Sequence, residues 1–411
     1  MKYGLIGEKL GHSFSKEIHA KIGNYDYALR EIEKENLKTF IKERDFLGIN
    51  VTIPYKETVI QYLDEVDESA KKIGAVNTVV NKNGKLYGYN TDYFGAKACL
   101  IQGKIDVKGK KVLILGTGGT SKTLSCVVAD MGAKEILFVS RNKREGVISY
   151  NEAYDKHKDA EIIINTTPVG MCPHTDEKPI DVSNFARLEG AMDVIYNPIS
   201  TNFILSAKER KIKACAGLFM LVAQAVKAAE LFGQIDYTDE SVCKIYNEIR
   251  NEKRNIVFIG MPTCGKSTIG KRISKLTNKD FYDIDCEIQK TTSFSPSEII
   301  KTRGETEFRK IEKEVVKKVS KNNGCVIATG GGAICDRDNV KNLKQNGIII
   351  FLDRALSKLV PADDRPLSAD KKSLEKLYFD RYKKYVSSAD VIVNADGEIE
   401  DITELIMEIL K

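Results

Sequence analysis

Twice along this chain a short apolar strand pattern runs straight into a glycine-rich turn and then into a helix pattern. The first instance is 110–115 (KKVLIL) into Gly116-Thr117-Gly118-Gly119-Thr120-Ser121, and the second is 256–259 into 260–267 (GMPTCGKS). A strand, a turn built on glycine and a helix make half of a βαβ unit. The turn leaves backbone N–H groups and a helix N-terminus free to hold an anion. Short strands alternate with helices elsewhere, at 3–6, 48–53, 74–80, 85–89, 136–140 and 162–165. The expected fold is therefore α/β with parallel sheets. The pattern restarts after a strong helix at 217–232 and a short polar stretch, 251–255 (NEKRN), that reads as a hinge. A boundary near 252 divides the 411 residues into 1–252 and 253–411.

Composition excludes several classes. The nine cysteines are scattered, odd in number and without a C-x-x-C pair, which fits free thiols in a reducing cytoplasm better than a disulfide frame or a zinc site. The net charge of +6 comes from 64 basic and 58 acidic side chains without visible clustering, so no nucleic-acid partner is expected. No apolar run reaches the ~18 residues of a membrane helix. The opening residues, MKYGLIGEKLGHS, lack a signal-peptide pattern. The expectation is a cytoplasmic protein with small-molecule substrates and no membrane contact. There is no histidine after His174, so proton chemistry in the second half must use carboxylate, lysine or water.

GMPTCGKS is the G-x-x-x-x-G-K-S of a P-loop in its proper strand–helix context. Gly260, Cys264, Gly265, Lys266, Ser267 and Thr268 would cradle nucleotide phosphates, with Lys266 on the β- and γ-phosphates and Ser267 on Mg²⁺. Asp283 and Asp285 follow a short strand at i, i+2. Such a pair can divide its labour, Asp283 toward Mg²⁺ and Asp285 toward a substrate hydroxyl. Gly330-Gly331-Gly332 follows the apolar strand 326–328 and allows close backbone approach to something flat. Arg309 stands at a helix start, Arg365 lies in a polar loop suited to a lid, and Arg381 sits on a helix before Tyr385. P-loops serve switches, motors and small-molecule kinases alike, so the loop alone does not assign function.

The order and spacing of these residues resemble the shikimate kinase family along essentially all of the second half. The resemblance rests on GMPTCGKS, the D-x-D at 283 and 285, E-x-x-F-R at 305–309, the glycine triplet, R-P-L at 365–367 and R-x-x-x-Y at 381–385. It implies that Arg309 and Arg381 hold the carboxylate of shikimate, with Gly331 and Gly332 beside the substrate. It implies that Asp285 contacts the ring hydroxyls and that Arg365 closes on the phosphates. Two guanidinium forks suit one carboxylate. A carboxylate facing a hydroxyl suits phosphoryl transfer from ATP. Lys358 departs from the pattern, standing where the family often has an arginine near adenine.

In the first half, Gly116, Gly118 and Gly119 match G-x-G-x-x-G except that Ser121 replaces the third glycine. The next strand ends at Ser140 and runs into Arg141-Asn142-Lys143-Arg144. An NAD site would want an acid here. The three basic residues Arg141, Lys143 and Arg144 favour a 2′-phosphate, hence NADP, with Ser140, Arg141 and Lys143 as candidate cofactor contacts. Lys56, just past a strand in GINVTIPYK, and Asp92 in NTD make a plausible proton-transfer pair for carbonyl reduction.

From the N-terminus to about residue 250 the pattern resembles the shikimate dehydrogenase family. The matching pieces are HSFS at 12–15, GINVTIPYK, GAVNT, NTD, the GTGGTS turn, NTTPVGM at 165–171, Tyr196-Asn197-Pro198 and Gln224 in VAQA. The resemblance implies Lys56 and Asp92 as the catalytic pair, with Ser13, Ser15, Thr52, Asn77, Asn90, Tyr196 and Gln224 around the substrate. It implies Thr166 on the cofactor side and Gly217 and Met220 flanking the nicotinamide. It also implies a two-lobed unit: a substrate lobe of about 1–100 plus 225–250 and a Rossmann NADP lobe of about 101–224. Lys16 departs from the family, which usually has proline there.

The two resemblances share a substrate. They imply NADPH-dependent reduction of 3-dehydroshikimate to shikimate, then MgATP-dependent phosphorylation of its 3-hydroxyl. Two rivals stay open on the sequence: a quinate preference in the first half, and a regulatory, ATP-sensing role for the P-loop half. Arg141 argues against the NAD-linked form usual for quinate. Arg309 and Arg381 are unexplained by a switch.

Overall fold

The computed structural model describes residues 1–11, 13–142, 144–361 and 370–410. The chain divides into two compact units, Met1–Ile249 and Arg250–Lys411.

Among the described residues the first unit holds two six-stranded sheets. The first comprises β1 (Tyr3–Gly7), β2 (Tyr27–Glu31), β3 (Gly48–Val51), β4 (Glu65–Val66), β5 (Thr78–Lys82) and β6 (Lys85–Tyr89), in the order β2-β1-β3-β5-β6-β4. The sheet is mixed, not parallel as expected. β5 runs antiparallel to β3 and to β6. The reason is local: Asn83 (φ 53°) and Gly84 (φ 84°) make the two-residue Asn-Gly turn whose twist closes a hairpin. β5 also starts later than the sequence pattern indicates. Gly74, at φ 74°, ends the helix Glu68–Ile73, and the residues after it brace a neighbouring loop: the Val76 N–H donates to the Lys56 carbonyl at 2.8 Å.

The second sheet comprises β7 (Lys111–Leu115), β8 (Glu135–Val139), β9 (Val147–Ile148), β10 (Ile162–Asn165), β11 (Gly190–Asp193) and β12 (Lys213–Cys215). Its order is β12-β11-β10-β7-β8-β9 and every pair is parallel. β7 and β10 are buried on both faces, which is why they read as continuous apolar runs. Chain order reverses between β7 and β10, and Gly116 lies at that point, where open α/β sheets bind ligands. The helix Gly217–Leu231 joins a core with Ile18, Leu100, Val127 and Ile245. Ala228, near its end, and Phe232 beyond it pack against Leu5, Tyr27 and Val80 of the first sheet.

The second unit holds a five-stranded parallel sheet among its described residues. Its strands are β13 (Asn255–Ile259), β14 (Asp280–Asp283), β15 (Cys325–Ala328), β16 (Gly347–Asp353) and β17 (Val391–Asn394), in the order β14-β15-β13-β16-β17. The central β13 is wholly buried. The stretch read as a hinge is something else. Residues 251–253 close the helix Asp239–Lys253, and Asn255 opens β13. Asn255 is buried because its amide donates to the Asn322 carbonyl at 2.7 Å and accepts from the Cys325 N–H at 3.0 Å. A polar residue here serves the strand ladder rather than solvent. Among the described residues no helix is long and apolar enough to cross a membrane.

Candidate active sites

Lys56 and Asp92 come from separate elements. Tyr55 fills the core below Lys56, and its hydroxyl donates to the Ile32 carbonyl. Asp92 lies in the first turn of the helix Thr91–Gln102, capped by Asn90, whose side chain accepts from the Tyr93 N–H at 3.1 Å. Lys56 Nζ donates to Asp92 Oδ2 at 2.5 Å. A polar cluster surrounds that helix start. Asn77 Oδ1 accepts from the Thr91 N–H at 2.7 Å. Gln224 Oε1 accepts from Thr91 Oγ1 at 3.4 Å and from Asn77 Nδ2 at 3.5 Å. Asn90 Nδ2 donates to the Ala75 carbonyl at 2.9 Å. Lys56 and Asp92 thus share a wall with Asn77, Asn90 and Gln224.

A second group stands beside Tyr196, whose ring meets that of Phe14 with centroids 5.2 Å apart. On either side of Phe14, Ser13 Oγ donates to Ser15 Oγ at 3.1 Å. Burial pushes the Tyr196 phenol up from its ordinary value. Thr52 follows β3 and donates its N–H to the Ile6 carbonyl at 2.9 Å. His12 of the HSFS motif lies outside the described residues.

At the other sheet, Gly116 takes φ 108°, and a Cβ there would lie 2.7 Å from Thr166 Oγ1. Thr166 donates both its N–H and its hydroxyl to the Leu115 carbonyl, at 3.0 and 2.6 Å. Gly118 and Gly119 face open space at the start of the helix Gly119–Asp130. A phosphate-bearing ligand fits such a bare backbone edge. Ser121 is tolerated in place of glycine because it is buried and its hydroxyl donates to the Gly118 carbonyl at 2.6 Å. Ser140 and exposed Arg141 follow β8. Lys143 lies outside the described residues. Met220 is buried, and its carbonyl sits against Gly95 on the helix Thr91–Gln102.

In the second unit a cavity of about 890 Å³ gathers Lys266, Ser267, Thr268, Asp283, Asp285 and Arg309 with Gly331, Gly332 and Arg381. Gly260 and Gly265 shape the turn at φ 149° and 97°, and the helix Lys266–Thr277 begins at once. Lys266 Nζ donates to the Gly260 and Met261 carbonyls at 3.0 and 2.8 Å, so the amine folds onto its own loop. Cys264 is fully buried behind it, and its N–H donates to the Met261 carbonyl at 3.3 Å. Ser267 Oγ donates to Asp283 Oδ2 at 2.5 Å. Two hard oxygens side by side fit Mg²⁺ that takes its remaining ligands from phosphate and water. Among the described residues no three His, Cys, Asp or Glu side chains form a metal cage. The other oxygen of Asp283 accepts the Asp285 N–H at 3.0 Å, capping the helix Ile284–Thr292.

Arg309 is clamped from two sides. It donates to Glu305 Oε1 at 3.0 and 3.2 Å and to Glu312 Oε2 at 2.7 Å. Burial pushes the Glu312 carboxyl up, and the Arg309 guanidinium pulls it partly back. A Cβ at Gly332 would lie within 2.6 Å of the Arg309 guanidinium, so glycine leaves the arginine its present place. Tyr385, one turn after Arg381, is buried and donates to the Gly331 carbonyl. Lys358 donates to the Asp396 carbonyl at 2.9 Å. Arg365 lies outside the described residues. Sequence reasoning passed over Thr91 and Glu312. The signal for Glu312 was available: acids at −4 and +3 flank Arg309 on one helical face.

The two sites define an enzyme of two kinds in one chain, a dinucleotide-dependent oxidoreductase followed by a P-loop phosphotransferase. Residues 5–79 match the family model "Shikimate dehydrogenase substrate binding domain", and residues 262–411 match "Shikimate kinase". A shikimate dehydrogenase (NADP(+)) of Clostridium perfringens is 40% identical over 266 residues, covering 60% of this chain and 98% of that protein. One of Methanococcus vannielii is 39% identical, covering 56% and 90%. A solved chorismate mutase/shikimate 5-dehydrogenase fusion from Clostridium acetobutylicum superposes with TM-score 0.57 at 40% identity, over 60% of this chain and 96% of that one. The shikimate 5-dehydrogenase of Thermus thermophilus, solved with NADP(H) and shikimate, gives TM-score 0.54 at 27% identity, over 60% and 99%. The chain belongs to the shikimate dehydrogenase family and carries a shikimate kinase domain in its C-terminal residues. The two domains make it a bifunctional enzyme.

Proposed function

We propose that this chain carries out two consecutive reactions: NADPH-dependent reduction of 3-dehydroshikimate to shikimate, then MgATP-dependent phosphorylation of the 3-hydroxyl. The first belongs to residues 1–252, with a substrate lobe of about 1–100 plus 225–250 and an NADP lobe of about 101–224. The second belongs to 253–411. The observation that carries the reading is the Lys56–Asp92 contact at 2.5 Å, on the wall that also bears Asn77, Asn90 and Gln224.

When bound, NADPH supplies the hydride and MgATP the phosphoryl group. As the ring ketone becomes an alkoxide, Lys56 donates the proton it needs. Asp92 orients the amine, which regains its proton from water. Such a donor contributes ~10²–10⁴-fold. Ser13, Ser15, Thr52, Asn77, Asn90, Tyr196 and Gln224 hold the substrate. Gly116, Gly118, Gly119, Thr166, Gly217 and Met220 receive the cofactor, and Ser140, Arg141 and Lys143 receive its 2′-phosphate. In the second reaction Arg309 and Arg381 bind the shikimate carboxylate against Gly331 and Gly332. Asp285 accepts the hydroxyl proton. Ser267 and Asp283 ligate Mg²⁺. Lys266 exchanges its loop carbonyls for phosphate oxygens, with Gly260, Cys264, Gly265 and Thr268 completing the cradle and Arg365 closing over it.

A coupled assay on the full chain tests this. NADPH should be oxidised on adding 3-dehydroshikimate, and MgATP should then yield ADP and phosphorylated product. Oxidation without phosphorylation would leave the second half a regulatory module. No oxidation with 3-dehydroshikimate, but turnover of quinate with NAD, would reassign the first.

A further inference from the structure

One buried carboxylate in the first unit has no part in the chemistry above. Asp193 ends β11 and is fully buried. Its Oδ1 accepts from Asn165 Nδ2 at 3.0 Å and from the Ile195 N–H at 3.1 Å, and its Oδ2 accepts from Thr201 Oγ1 at 2.6 Å. Burial pushes its pKa up to about 7 against the pull of these donors. A buried acid is costly unless it is satisfied, and an apolar residue would fill the place with less penalty. What the carboxylate supplies is acceptors at a point where three backbone segments meet.

Those segments lead to the candidate cofactor site. Asn165, held by Asp193, accepts from the Thr167 N–H at 3.0 Å and from Thr167 Oγ1 at 2.7 Å. This fixes the loop whose neighbouring residue, Thr166, packs on Gly116. Ile195, held through its N–H, accepts the Gly217 N–H on its carbonyl at 3.0 Å. Gly217 in turn lies so close that a Cβ would sit 2.0 Å from the Val194 carbonyl oxygen. Thr201 caps the helix Asn202–Glu209 behind the same crevice.

We infer that Asp193 is a positioning residue for the dinucleotide: it ties together the loops after β10 and β11 and the entry to the helix Gly217–Leu231, so that the nicotinamide end of the site is formed before NADPH arrives. The inference rests on the proposed dehydrogenase reading. Asn at this position offers one acceptor oxygen to three donors and turns an NH₂ toward the others. Losing these buried hydrogen bonds should weaken binding about tenfold.

The test is NADPH affinity, followed by the fluorescence of the bound reduced cofactor, beside steady-state kinetics on the full chain. Asp193→Asn should raise the NADPH Kd about tenfold, while kcat at saturating NADPH and KM for 3-dehydroshikimate stay within about twofold. Thr201→Val should weaken NADPH in the same direction, and Thr201→Ser, which keeps the donor, should bind like wild type. A lowered Tm with unchanged NADPH Kd in Asp193→Asn would make the carboxylate merely structural and overturn the inference. If Asp193→Asn does not fold, the Thr201 pair decides, and equal affinities in Val and Ser would overturn it. The binding arm needs no turnover. A wild type that binds NADPH yet leaves 3-dehydroshikimate unreduced would sink the substrate assignment and leave the Asp193 comparison to be read as it stands.

Discussion

Lys56 and Lys266 are the two amines on which the proposed reactions turn, and the fold treats them differently. Lys56 meets a carboxylate from another element, Asp92, across 36 positions of sequence. The loop and the helix start that carry them are braced by Val76, Asn77 and Thr91. Lys266 turns back on its own loop, donating to the Gly260 and Met261 carbonyls and to Cys264 Sγ at 3.8 Å. The first arrangement is assembled before substrate arrives. The second is held back until a stronger acceptor displaces the carbonyls. A proton donor profits from being fixed, because its work is done at one atom. A phosphate-binding lysine must give up protein partners for ligand ones, so an interim pairing prevents an unsatisfied buried ammonium.

The same substitution at both positions gives the sharpest contrast. Lys56→Met should lower kcat for 3-dehydroshikimate reduction by ~10²–10⁴-fold with little change in KM, and leave phosphoryl transfer untouched. A KM effect alone would make Lys56 a binding residue and break the comparison. Lys266→Met should lower kcat for phosphorylation by about 10²–10³-fold and raise the KM for MgATP as well. An unchanged MgATP KM would show that the lysine does not serve the ground-state nucleotide. Glu312→Gln keeps a hydrogen bond to Arg309 but removes the charge that clamps it. The KM for shikimate should rise about fivefold to tenfold with kcat nearly constant. An unaltered KM would leave the clamp without function.

In the scaffold behind the assembled pair the expected effect is on stability rather than turnover. His19 is buried, stacked on Tyr27 with centroids 3.7 Å apart, and bonded to Tyr25 and Asn50. Asn50 in turn donates to the Asn77 carbonyl and to Thr78. Burial lowers the His19 pKa from 6.5 to about 3. The unfolded chain therefore takes up a proton that the folded chain refuses. The stabilisation is complete above pH 6.5 and is lost as pH falls toward about 3, by about 1.4 kcal/mol per unit. Urea unfolding of the full chain, fitted with a separate transition for each unit, should show this slope in wild type. His19→Gln should flatten it, and equal slopes would mean that His19 is not held neutral.

Both glycine-rich turns, their flanking strands and the helix at Gly217–Leu231 were legible because each is written in a few adjacent residues. Period, apolar run and glycine are local signals. The hairpin was legible too, in Asn83-Gly84, though the alternation of strands and helices points to a parallel sheet instead. The polar residues 251–255 show the limit of composition as a guide. Their charges decorate a helix end, while Asn255 is drawn into the core by two backbone partners that lie 67 and 70 positions away.

What the sequence determined by itself was the set of chemical parts: a phosphate cradle, a basic turn after β8, and the lysines, aspartates and arginines in their order. Tertiary structure alone decided which parts touch. It set Lys56 on Asp92, Ser267 on Asp283, and Asp193 beneath the crevice where three loops converge. The physical reason is one of range. A turn or a cap is settled by neighbours within a few residues, whereas a buried carboxylate is tolerated only where donors from distant segments arrive together. Nothing in the few residues around Asp193 announces that meeting.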